Sequence, residues 1–75
     1  MTARERIAEI ASNTKLPVAA LAALRSSGYL FNSEQQQRLV DTVAKNPRFA
    51  KLALSDVKQL TDSQKTQLSK VLPAD

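Results

Sequence analysis

The stretch IASNTKLPV, which starts at Ile10, is echoed by VAKNPRFAK, which starts at Val43. At this offset of 33 residues Ile10 pairs with Val43, Ala11 with Ala44, Asn13 with Asn46, Leu21 with Leu54 and Leu24 with Val57. Each copy reads as the end of one helix, an asparagine at the corner, a proline-bearing bend and the start of the next helix. A helix-turn-helix hairpin used twice leaves a chain of 75 residues little room for a sheet. A period in this range is typical of helical repeat arrays. Two corners that chose Asn and Pro independently, because those residues turn chains well, would give the same pattern.

Composition agrees with helices. Ala, Leu, Gln, Lys and Arg dominate, and the chain has one glycine and few β-branched or aromatic residues, so little suits a strand. We expect an all-α fold: a single helical domain over residues 1–75, built as a compact bundle of about five short helices, two pairs of which stack as repeat-like hairpins if the echo is a true repeat. The first helix is expected over residues 3–12, with Ile7, Ile10 and Ala11 on its buried side and Arg4, Glu5 and Glu9 toward water. The second starts at Pro17, with Val18, Leu21 and Leu24 as a stripe among alanines, and Gly28 is placed as a left-handed C-cap. The third opens at Asn32 or Ser33 through a capping box and buries Leu39, Val40, Val43 and Ala44. A fourth, capped by Asn46, runs from Pro47 with Phe49, Leu52, Ala53, Val57 and Leu60 at helical spacing, as one helix to Leu60 or with a break near Ser55. Thr61 opens the last through TDSQ, with Leu68, Val71 and Leu72 buried and Pro73 closing it.

The segments IASNTKLPVAALAAL and VAKNPRFAKLALSDV resemble the leucine-rich repeat variant of bacteria, whose units run V-A-x-N-P-x-T-P-x-x-x-L-x-x-L. Asn13, Pro17, Leu21 and Leu24 match that pattern in the first copy, and Asn46, Pro47 and Leu54 in the second. Thr14 stands where the first copy would carry its first proline and Ala50 where the second would carry its second, and the spacing exceeds the family's usual unit. The resemblance implies a right-handed helical stack used for binding.

The chain contains neither cysteine nor histidine, which removes thiolate chemistry, the commonest metal ligand and the usual proton shuttle. That suits a reducing cytoplasm, and cytoplasmic is the expected location. No apolar run is long enough to span a bilayer, and the N-terminus mixes charge with aliphatics where a signal peptide needs an unbroken apolar block. Glu5 and Glu9 share a helix face, but among arginines near a helix N-terminus they read as dipole partners, not as an acid/base pair. Ser26, Ser27 and Gly28 end a helix, so their N–H groups do not converge on an anion. No enzyme, cofactor, metal or small-molecule substrate is expected.

Two surfaces remain. Arg48, Lys51, Ser55 and Lys58 follow at helical intervals opposite Phe49, Leu52 and Val57, with Lys45 before and Lys65 and Lys70 after. This cationic ridge, in a chain of net charge +4, satisfies the electrostatic criterion for binding phosphates, although aromatic residues for base stacking are missing. Tyr29, Leu30 and Phe31 form the second, three large apolar side chains in a helix link that cannot all point inward. A DNA-reading arrangement with Gln35, Gln36 and Gln37 as the reader requires a shorter and less apolar turn than this one. The expectation is a non-enzymatic protein-binding module, or small regulator or inhibitor, that docks a helical face on a larger protein or on a second copy through Tyr29, Leu30, Phe31, Arg48, Lys51 and Lys58. The alternative is a small basic nucleic-acid binder using Lys45, Arg48, Lys51, Lys58, Lys65 and Lys70. No membrane partner is expected.

Overall fold

Local signals set where the helices begin. In the computed structural model, which describes residues 1–73, α1 spans Ala3–Ser12, α2 Pro17–Ser27, α3 Ser33–Val43, α4 Pro47–Asp56 and α5 Asp62–Ser69, with a single 3₁₀ turn at Gly28–Leu30. Reciprocal capping boxes open three of them: Thr2 with Glu5, Asn32 with Gln35 and Thr61 with Gln64. In each, a side-chain oxygen accepts the N–H three residues on while that residue's side chain returns to the cap's own N–H, so two otherwise orphaned donors are satisfied. Pro47 takes the first position of α4, and the Asn46 side chain accepts the Arg48 N–H at 3.0 Å.

The bundle is all-α, and α3 is its axis. One row of that helix, with Leu39, Val40 and Val43 fully buried, meets Ala20, Leu21 and Leu24 of α2 and Ala50 and Ala53 of α4. Val57 and Leu60 from the α4–α5 link and Leu68 of α5 complete this core, and Phe31, Phe49, Val71 and Leu72 pack on its edge. The Cα radius of gyration is 11.9 Å, close to the roughly 11 Å of a packed chain of this length.

A second row of α3 is polar and faces α5. Gln36 donates to Gln64 Oε1 at 2.8 Å and to the Gln59 carbonyl at 3.1 Å, Gln64 donates to Gln37 Oε1 at 3.1 Å, and Gln37 donates to Gln67 Oε1 at 2.9 Å. Asp41 Oδ1 accepts from both Gln37 and Gln67. Among the described residues no buried side-chain polar atom lacks a partner, the condition under which such a network does not destabilise a fold.

Several expectations change here. Ile7 and Ile10 are not core residues: they are 60% and 69% exposed. Val18 also faces out. Gly28 is not a left-handed cap, for its φ is −54° and its ψ −31°. What its missing side chain leaves room for is the Gln59 side-chain amide, which donates to the Leu24 carbonyl at 3.0 Å and would have to move aside for a Cβ. α4 ends at Asp56, where Val57 turns extended, so Val57 and Leu60 reach the core from a link and not from a helical face. α5 stops at Ser69, and Val71 and Leu72 pack from the turn beyond it.

Candidate docking surface

The position of α1 follows from what α3 has left to offer. Its apolar row is filled by α2 and α4, and the row that remains carries Gln35, Arg38 and Thr42 at helical spacing. α1 therefore turns its polar side inward. Arg38 Nη1 donates to Glu9 Oε2 at 2.9 Å, to Ser12 Oγ at 3.0 Å and to Asn13 Oδ1 at 3.2 Å, while its Nη2 reaches Glu9 Oε1 at 3.4 Å. Gln35 Nε2 donates to the same Glu9 Oε1 at 3.0 Å. Thr42 Oγ1 reaches the Thr14 carbonyl at 3.4 Å, which ties down the corner after α1.

These donors set the charge state of Glu9. The hydrogen bonds from Arg38, then those from Gln35 and Asn13, pull its carboxyl down to about 2, because each favours the ionised form. Glu9 raises Arg38 in turn. The Thr2 backbone N–H holds Glu5 below the usual carboxylate range. Both acids of α1 are thus ionised and engaged within the protein, and neither carries a proton to donate near neutrality.

With its polar side turned in, α1 shows its aliphatic side to solvent. No residue of α1 joins the hydrophobic core cluster, although Ala8 and Ser12 are buried. Met1, Ile7, Ile10, Leu16, Val18 and Tyr29 make up six of the seven exposed large hydrophobics among the described residues, so the unburied apolar surface is concentrated in the first 29 residues. Ile10, Leu16 and Val18 follow the chain around the α1–α2 corner. At the other end of α1, the Arg4 guanidinium lies 5.9 Å from the centroid of the exposed Tyr29 ring, within cation–π range.

The residues singled out from sequence fall on two sides. In the Tyr29–Phe31 link the three side chains diverge: Tyr29 is 78% exposed, Phe31 packs against the core, and Leu30 lines a cleft of about 400 Å³ with Met1, Glu5 and Ala8. Only Tyr29 is free to act as an anchor. On α4, Arg48, Lys51 and Ser55 share an exposed face, but Lys58 lies past the helix end and does not continue it. Leu52, expected on the opposite side, is 40% exposed next to that ridge. Lys45, Lys65 and Lys70 are exposed, and none of these six cations makes an ion pair with a described residue. Gln35, Gln36 and Gln37, considered above as base readers, have their amides occupied inside the bundle, which removes them from that role.

The outward face of α1 was missed because periodicity reveals an apolar stripe without saying what the stripe meets. A usable signal was present: Arg38 and Gln35 interrupt the surface of α3 at helical spacing, and Glu9 and Ser12 answer it. Among the described residues no three His, Cys, Asp or Glu side chains gather as a metal site, and no helix is long and apolar enough to cross a membrane. Compared with known proteins, the chain matches no family model, no curated protein and no solved structure.

Proposed function

We propose that this chain is a non-enzymatic protein-binding module that docks the exposed face of its N-terminal hairpin on a larger protein. The observation that carries this reading is the inverted α1, which is attached by Glu9, Ser12 and Arg38 while Ile7 and Ile10 point to solvent. Leaving such side chains uncovered forgoes on the order of 1.5–3 kcal/mol each relative to burial, and a partner recovers that energy. Tyr29 and Arg4 extend the same side of the molecule, and aromatic and arginine side chains are frequent anchors. A small regulator or inhibitor acts in this way, through shape and charge alone.

The test is capture from a nuclease-treated lysate of the source, repeated at high salt. A partner retained at high salt by the native chain and by Arg48→Glu/Lys51→Glu, and lost with Ile7→Lys/Ile10→Lys, supports docking through α1. The exposed cations of α4 and its surroundings, which make no ion pair with a described residue, favour a second reading, binding to the phosphate backbone. On that reading the native chain binds generic duplex at low salt and loses affinity by orders of magnitude between about 50 and 200 mM. Arg48→Glu/Lys51→Glu is then the damaging change.

A further inference from the structure

We infer that the partner of α1 is an acidic amphipathic helix of another protein, which the seam of Ala3, Ile7 and Ile10 receives between Arg4 and Arg6. The inference rests on α1 being the docking face and adds what covers it. Ala3, Ile7 and Ile10 follow at steps of four and three, the two-position seam with which one helix packs lengthwise on another. In that register Arg4 and Arg6 flank the seam on opposite sides, where charged residues select the partner. Both are exposed.

What makes the selection one-sided is the fate of the acids. Glu5 accepts the Thr2 N–H at 2.9 Å within the capping box, and Glu9 is held by Arg38 and Gln35. By helical spacing the exposed Glu5 lies on the side of α1 opposite the seam, so the seam and its two flanks present apolar and positive groups, and Lys15 extends the charge past its end. A second copy laid on this seam would set arginine against arginine, and such juxtaposition disfavours pairing. A lipid surface calls for a broad apolar sector, whereas this seam is narrow. A helix with aliphatic residues along one line and Glu or Asp on both shoulders satisfies shape and charge together. Leu16 and Val18, exposed at the α1–α2 corner, give the end of such a helix a further apolar contact.

The experiment uses the full isotope-labelled chain and three probes. These are a synthetic three-heptad peptide with isoleucine and leucine along its seam and glutamate at both flanks, its twin with lysine at the flanks, and phosphatidylcholine vesicles containing phosphatidylserine. The glutamate peptide is expected to shift the amides of residues 3–10 and 16–18 and to bind on the order of tenfold more tightly than its twin. Arg4→Glu/Arg6→Glu, folded as judged by unchanged α2 and α3 resonances, is expected to reverse the preference. Twins that bind α1 equally would overturn the acidic partner while leaving the docking face standing. Shifts confined to the α4 ridge, or no shift with either peptide, would remove both. Shifts in α1 from vesicles alone, or from raising the protein concentration alone, would assign the seam to a lipid surface or to a second copy and overturn the inference.

Discussion

Glu9 holds α1 to the bundle and at the same time withdraws negative charge from its outer surface. Its carboxylate receives two guanidinium N–H groups of Arg38 and the amide of Gln35, so it binds a proton less readily folded than unfolded, at about 2 against an ordinary 4.5. A depressed acid stabilises the folded form while it is ionised. This contribution is complete above pH 4.5 and fades as the pH falls toward 2. Glu5 shifts in the same direction, but its bonds lie within α1 and do not attach the helix to α3. On acidification from pH 4.5 to 2, the amides of α1 should lose hydrogen-exchange protection before those of Leu39, Val40 and Val43. Glu9→Gln should remove the pH dependence of that loss, and α1 protection that persists in the native chain at pH 2 would show that the carboxylate is not the fastening. The pairing itself could not be read from local sequence, because Glu9 and Arg38 are 29 residues apart; the helical spacing of Gln35 and Arg38 signals only that some polar partner faces that row of α3. Gly28 teaches a related lesson: its role depends on Gln59, a residue brought near only by the fold.

At the scale of whole helices, the starts were legible and the faces only in part. Pro17, Asn32, Pro47 and Thr61 announced four of the helix starts because capping is local chemistry, decided by residues within one turn. The apolar face of α3 was legible because Leu39, Val40 and Val43 form a row that any packed bundle must bury. α1 was read the wrong way round, since the orientation of a short helix depends on the surface waiting for it, and here that surface is polar. The two echo asparagines show the same limit: Asn13 ends α1, with its amide donating to the Glu9 carbonyl at 2.8 Å, whereas Asn46 begins α4. The energetic consequence of the inverted helix is measurable. Ile7→Lys/Ile10→Lys changes exposed positions, and its effect on stability in urea should stay within about 0.5 kcal/mol. Leu39→Ala, at a fully buried position, should cost about 2–5 kcal/mol. Comparable losses in the two variants would mean that α1 is clamped by its isoleucines after all.

The molecule as a whole divides unequally. Every residue of the hydrophobic core cluster comes from Ala20 onward, and α1 lies outside it, attached by polar contacts and by the corner at Thr14. Removing α1 frees Gln35 and Arg38, side chains that water can satisfy, and takes away no member of the hydrophobic core cluster. A chain of residues 14–75 is therefore expected to fold cooperatively by itself, although at roughly 60 residues it sits near the size where a single core is marginal. Its spectrum should keep the native resonances of Leu39, Val40, Val43 and Leu68, and its urea transition should remain sigmoidal with a slightly smaller slope, since less surface is buried. Binding to an acid-flanked helix should vanish, because the seam is gone while the fold remains. A broad, non-cooperative transition in the shortened chain would place α1 within the folding unit and deny it the role of a separable docking element. Native-like unfolding with lost binding would show that the core serves to hold this helix in place, its isoleucines outward.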